Sequence, residues 1–237
     1  EKLIRIYPET NLFSHIIGQI DNDNNGISGL EKSLDQKLKD IQEPIKLTVD
    51  KDIQFLIRNE LVKYNEIFKT KGSASILMDV RNGEILSLVS LPDFDPNKRE
   101  KITDKNFINK ATKGVYEFGS VFKTFTLAAA FDQKIIEPET KFTDLPKMLT
   151  CSGFSIREYD KKIPTNLTAE QILVRSGNIG SVRIGQKIGE EKFKLFLSKI
   201  GILGKINFDI EEVGIPIKFN WGKCPLATAS FGHGITT

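Results

Sequence analysis

A chain of 237 residues that is 39% hydrophobic and 27% charged has the composition of an ordered globular protein, long enough for one sizeable domain and a smaller piece. Its 34 basic and 31 acidic residues leave a net charge of +3 without long basic blocks, which gives nucleic-acid binding no electrostatic basis. Two histidines, His15 and His233, without any HExxH-type pattern, make no case for a metal centre, and no cofactor is called for. Cys151 and Cys224 have neither CxxC nor metal spacing and read as two core thiols, a disulfide being the less favoured reading. No apolar run approaches the ~20 residues of a membrane span, and no signal peptide opens the chain.

In chain order, the segment running into Pro8 reads as extended, and Leu12 to Ile20 is a short apolar run. Asp21 to Gly26 (DNDNNG) is a polar turn whose carboxylates do not match a calcium loop. Residues 28–40 (SGLEKSLDQKLKD) suggest a short helix with Ser28 and Glu31 as a capping box. A second unit starts near Pro44. There IKLTVD reads as a strand, and Asp50 caps a helix with Ile53, Leu56, Ile57, Leu61 and Val62 in helical period. ASILMDV (74–80) and EILSLVSL (84–91) flank Arg81-Asn82-Gly83, the clearest hairpin signal in the sequence. Residues 91–100 form a proline-marked loop. Tyr116 to Gln133 is a glycine turn leading into an apolar helix that carries no charge from Thr124 to Phe131. Lys134 to Pro164 lacks periodicity and reads as a long connection. TAEQILV (168–174) is a short helix capped from Asn166 or Thr168, and residues 190–200 form an amphipathic helix stopped by Gly201. The final ATASFGHGITT suggests a helix or strand edge rich in small residues.

The chemistry concentrates at Ser120 and Lys123. Their i, i+3 spacing puts both side chains on one helix face, with the serine where unpaired backbone N–H groups favour developing negative charge. A serine hydroxyl needs a base to become a nucleophile, and a lysine serves only when burial keeps it neutral. Backbone N–H groups at the helix start suit the oxyanion of a tetrahedral intermediate. The implied reaction is acyl transfer through a serine ester. Ser120-x-x-Lys123 is the only S-x-x-K in the chain, but chance supplies about one such pair in a chain of this size. Ser176-x-Asn178, about 55 residues on, adds a hydroxyl able to relay a proton and an amide able to donate to a substrate carbonyl. By itself that second motif is more often a turn or helix cap.

Together the two motifs resemble the S-x-x-K and S-x-N signatures of penicillin-binding proteins and serine β-lactamases. The flanks resemble class B penicillin-binding proteins, the monofunctional DD-transpeptidases, most nearly the septal, division-specific type. LTVDKDIQ looks like the opening of the transpeptidase domain. GSASILMDVRNGEILSLVSLPDFDPN is similar to its hairpin and loop, and NKATKGVYEFGSVFK to the nucleophile segment. The resemblance implies an α+β penicillin-binding transpeptidase (serine β-lactamase-like) fold, helices on an antiparallel sheet, present incompletely. Residues 1–43 would end a non-catalytic pedestal domain, and residues 44–237 would be the N-terminal part of the transpeptidase domain.

The resemblance also implies roles: Ser120 as nucleophile, Lys123 as general base, Ser176 as proton shuttle, Asn178 as a substrate contact. The implied substrate is the D-Ala-D-Ala end of a peptidoglycan stem peptide, and β-lactams would acylate the same serine. A membrane glycan polymerase and divisome proteins are the implied partners. The parent protein is expected to carry one inner-membrane anchor, with its catalytic domain periplasmic. The chain departs from the family at Phe118, where proline is usual, and at Gly177 within the second motif. It also lacks the third motif, K-T-G or K-S-G. Lys69-Thr70-Lys71-Gly72 lies upstream of the serine and does not match. A chain without that strand is expected to be inactive or impaired. The alternatives are a non-catalytic pseudo-transpeptidase scaffold and a serine β-lactamase or β-lactam sensor. The E-x-x-x-N spacing of a deacylating glutamate is absent from residues 179–237.

Overall fold

The computed structural model describes residues 4–40, 43–98 and 104–237, without the side chains of Asp104 and Lys105. The chain forms two compact units: Glu1–Gly114 with Asn207–Gly214, and Val115–Ile206 with Ile215–Thr237.

The first unit runs α1 (Ser14–Ile17), β1 (Gln19–Ile20), β2 (Gly26–Ser28), α2 (Gly29–Ser33), α3 (Asp35–Asp40), α4 (Lys51–Phe68), β3 (Ser73–Met78), β4 (Ile85–Leu91) and α5 (Asp104–Phe107). The hairpin expected around Asn82-Gly83 is present as antiparallel β3–β4. Its loop is wider than a two-residue turn: Asp79 N–H donates to Glu84 O at 2.9 Å and Gly83 N–H to Asp79 O at 2.8 Å. Asp50 caps α4 as expected, accepting from Ile53 N–H at 2.9 Å. The residue that α4 buries against β4 is polar. Gln54 donates to Leu12 O and Leu88 O and accepts from Ser87 Oγ and Leu88 N–H, at 2.7–3.0 Å. Leu56, one of the periodic apolar residues, is 62% exposed.

Two expectations fail here. Residues 45–50 are not a strand. Thr48 Oγ1 donates to Ile85 O and Asp50 N–H to Leu86 O, single contacts beside β4 rather than a reciprocal ladder. The capping box at Ser28 is not formed. The Glu31 carboxylate turns away to Arg5 at 3.0 Å, Ser28 Oγ has no partner among the described residues, and Glu212 accepts from Gly29 N–H instead. The Asp21 turn is closed internally, Asp21 Oδ1 accepting from Asp23 and Asn25 N–H at 2.8 Å.

The second unit holds a 3-10 turn (Gly119–Phe122), α6 (Lys123–Asp132), β5 (Lys141–Phe142), β6 (Met148–Cys151), β7 (Phe154–Arg157), β8 (Leu167–Thr168), α7 (Ala169–Val174), α8 (Asn178–Ile188), α9 (Glu190–Lys199) and α10 (Lys223–Ala229). The Lys134–Pro164 segment is not a mere connection. It carries β5, which pairs with β8, and the β6–β7 hairpin around Ser152-Gly153, both at positive φ. Thr168 forms a full capping box with Gln171 at the start of α7.

The helix at the centre of this unit is α8, packed on α6, α7, α9 and α10. Its Ile179, Val182 and Ile184 are wholly buried with Phe122, Phe193 and Leu197, each burial contributing about 2–3 kcal/mol. Helical period alone does not announce it, because Gly180 and Gly185 interrupt it. Those glycines set the packing distance: a Cβ at Gly180 would press into the Ile172 side chain, and one at Gly185 would overlap Ser230 Oγ. Cys151 and Cys224 form a disulfide, with Cα atoms 5.5 Å apart, joining the end of β6 to α10. This overturns the reading as free core thiols. The fold brings together two cysteines that are 73 residues apart in sequence and without motif spacing, and both are only half-buried.

Candidate active site

The serine turn is held from two sides. Tyr116 and Thr237 exchange two backbone hydrogen bonds at 3.0 Å. Gly232, at φ 86°, lets its backbone close on Gly119, where any Cβ would overlap the Gly119 carbonyl. Glu117 and His233 pair across the same junction at 2.9 Å. The exposed Ser120 therefore sits in the 3-10 turn, and Lys123 opens α6 one turn later.

Lys123 has no exposed surface, yet it lies at the start of an apolar helix. Its Nζ is 3.1 Å from Ser120 Oγ, 2.6 Å from Ser176 O, 2.9 Å from Ser176 Oγ and 2.7 Å from Asn178 Oδ1. The carbonyl oxygens of Ser176 and Asn178 only accept, whereas the two hydroxyls donate or accept. A neutral amine satisfies this set by giving its two N–H groups to the carbonyls and turning its lone pair to a hydroxyl. Desolvation lowers the Lys123 pKa to about 8, while the nearby Glu158 carboxylate opposes the shift.

Ser176 reaches Lys123 because α7 ends in a reversal. Ser176 N–H donates to Leu173 O and Gly177 N–H to Ile172 O, and Ser176 itself adopts φ 51°. A left-handed serine costs on the order of 1 kcal/mol, so surrounding contacts must hold it. Asn178, the first residue of α8, gives its side-chain N–H to Arg157 O at 2.8 Å. Three of the four residues singled out in the sequence, Ser120, Ser176 and Asn178, thus converge on the amine of the fourth, Lys123.

Sequence reading missed two contributors, Arg157 and Glu158, at the end of the β6–β7 hairpin. The signal available was the Ser-Gly pair between short β-prone segments. A groove of about 890 Å³ opens beside Asn178, lined in part by Phe154, Arg157, Phe219, Phe231 and His233. Among the described residues no group of three or more His, Cys, Asp or Glu side chains could hold a metal ion.

The model of the penicillin binding protein transpeptidase domain matches residues 73–237. The chain belongs to this family. Similar penicillin-binding proteins include a probable peptidoglycan D,D-transpeptidase FtsI of Caulobacter vibrioides, 30% identical over 98% of this chain and 40% of that protein. Stage V sporulation protein D of Bacillus subtilis is 30% identical over 100% of this chain and 41% of its own length. The crystal structure of penicillin binding protein 3 from Mycobacterium tuberculosis superposes with a TM-score of 0.88 at 23% identity, over 99% of this chain and 55% of the other. That likeness establishes the α+β penicillin-binding transpeptidase fold. The chain spans about two fifths of the length of these curated relatives.

Proposed function

We propose that this chain carries the acylation half of a serine D,D-transpeptidase of peptidoglycan synthesis. The observation that carries the reading is the single buried amine of Lys123 touching Ser120, Ser176 and Asn178 at once. Lys123, neutral, takes the Ser120 proton as Oγ attacks the carbonyl carbon of the penultimate D-alanine. Backbone N–H groups at the serine turn support the oxyanion. As the C–N bond breaks, the proton passes from Lys123 through the Ser176 hydroxyl to the departing D-alanine amine. The acyl group then passes to an amine on a neighbouring strand: Lys123 takes the proton that this amine loses and returns it to Ser120 Oγ as the ester C–O bond breaks. Asn178 keeps a second side-chain N–H to offer the substrate carbonyl. A β-lactam follows the first step and stops, its strained amide imitating the peptide.

Residues 1–43 are then the end of a pedestal domain and residues 44–237 the N-terminal part of the transpeptidase domain. The gene product is anchored in the inner membrane by one helix, its catalytic domain periplasmic. None of the helices formed by the described residues is long and apolar enough to cross a membrane. A division role, with a glycan polymerase and divisome proteins as partners, fits the similarity to FtsI.

Fluorescent penicillin labelling tests the reading. Full-length protein is expected to take the label and Ser120→Ala to lose it. A full-length protein that stays dark, or labelling that survives Ser120→Ala, refutes it. Residues 1–237 alone lack a K-T-G or K-S-G strand to press the ligand against Ser120. Their labelling is expected to be slower by about a hundredfold or more than that of the full-length protein.

A further inference from the structure

The helix that presents Asn178 begins at a glycine. Gly177 is the N-cap of α8 and has no side chain with which to accept from the first turn. The acceptor comes from elsewhere in the chain. Glu158 Oε2 takes Asn178 N–H at 2.6 Å and Glu158 Oε1 takes Ile179 N–H at 3.0 Å. The residue before it, Arg157, uses its backbone carbonyl to hold the Asn178 side-chain N–H at 2.8 Å. Asn178 is thus gripped at its backbone and its amide, which leaves Oδ1 only one direction, toward Lys123 Nζ at 2.7 Å.

We propose that Glu158 is a positioning residue of the acyl-transfer site, fixing the start of α8 so that Asn178 meets Lys123. This rests on the reading of Ser120 and Lys123 given above. The position is built for a carboxylate. Its charge faces the positive end of α8, where a negative group is stabilising, and both its oxygens are used. Glu158 does not touch the serine and takes no proton in the reaction. It acts through Asn178, and through its charge on Lys123.

That charge gives the role a signature. The groups within hydrogen-bond distance of Lys123 Nζ, from the serine turn, the end of α7 and α8, are all neutral: Ser120, Ser176 and Asn178. Glu158, on the strand side, is the charged group that acts on it, and it favours the protonated amine. Glu117 and His233 on the flanking loops are paired with each other. Arg157 points its guanidinium at Met148 Sδ, and Arg175 lies exposed at the end of α7. Removing the Glu158 charge should let Lys123 lose its proton more easily while leaving Asn178 less well held.

The experiment is the second-order rate of acylation of the full-length protein by a fluorescent penicillin across pH. It compares wild type, Glu158→Gln and Glu158→Asp, each corrected for its titratable active fraction. In Glu158→Gln the plateau rate is expected to fall about tenfold to a hundredfold, and the midpoint of the rise with pH to move lower. Glu158→Asp keeps the charge but reaches less far, so its rate is expected to fall with the midpoint in place. A Glu158→Gln rate within twofold of wild type overturns the proposal. So does a loss explained wholly by a lower folded fraction with an unmoved midpoint. If Glu158→Gln does not fold, Glu158→Asp decides: a reduced rate supports the role, and a wild-type rate overturns it. Failure of the wild type to label, or labelling of Ser120→Ala, refutes the underlying serine mechanism instead.

Discussion

Lys123 carries two demands that conflict in water and agree in this fold. As the proposed base it must be neutral near physiological pH, and as a buried residue it must have partners. Burial lowers its pKa to about 8, and the oxygens of Ser120, Ser176 and Asn178 occupy its hydrogen-bonding positions in either protonation state. In the mechanism proposed above the active form is the deprotonated amine, so acylation is expected to rise with pH and level off above the pKa. Stopped-flow acylation by a β-lactam should show a midpoint near 8. Below it the rate should fall by about tenfold per pH unit, until other groups intervene. Lys123→Arg keeps the charge but never deprotonates in this range, and should lose about 10²–10⁴-fold in acylation rate at every pH tested. The pairing of Ser120 with Lys123 was legible in the sequence because the spacing is local. Glu158 was not, since nothing in the sequence says that a carboxylate 20 residues upstream folds back onto Asn178.

At the scale of elements, local signals succeeded where a cap or turn residue acts within its own segment. Asp50 on α4, Thr168 with Gln171 on α7 and the β3–β4 hairpin are of this kind. They failed where tertiary packing decides. Helix α8 contains two glycines, which weaken any helix read in isolation, and it forms because four other helices surround it. This makes a sign prediction. In an exposed helix Gly→Ala stabilises by about 0.5–1 kcal/mol. Gly185→Ala should instead destabilise by about 1–3 kcal/mol, because the new methyl has only the space of Ser230 Oγ to enter. Chemical denaturation of the two proteins side by side would check it, and a stabilised variant would contradict the packing given for α8 and α10.

For the whole molecule, the disulfide ties the hairpin that leads into Glu158 to the helix that packs on α8. A cross-link closing a loop of this length restricts the unfolded chain, an effect typically of about 2–4 kcal/mol. Thermal unfolding with and without reductant should therefore show a lower midpoint in the reduced protein. The Cys151→Ser, Cys224→Ser double variant should match the reduced form and be insensitive to reductant. An unchanged midpoint would mean that the bond adds nothing. Persistence of such a bond requires an oxidising compartment, which agrees with the periplasmic placement proposed above.

The sequence by itself determined the chemistry within reach of one turn. The S-x-x-K pair, the S-x-N triplet, the hairpin and two of the helix caps are written in residues a few positions apart, where geometry follows from backbone period. Tertiary structure decided the rest. It chose the disulfide over two thiols, made a β-hairpin of a supposed connection, and closed Gly232 onto the serine turn. It also brought Ser176, Asn178 and Glu158 around an amine more than 30 residues away in the chain. Each of these depends on contacts between distant segments, which burial and close packing select and local sequence period does not encode.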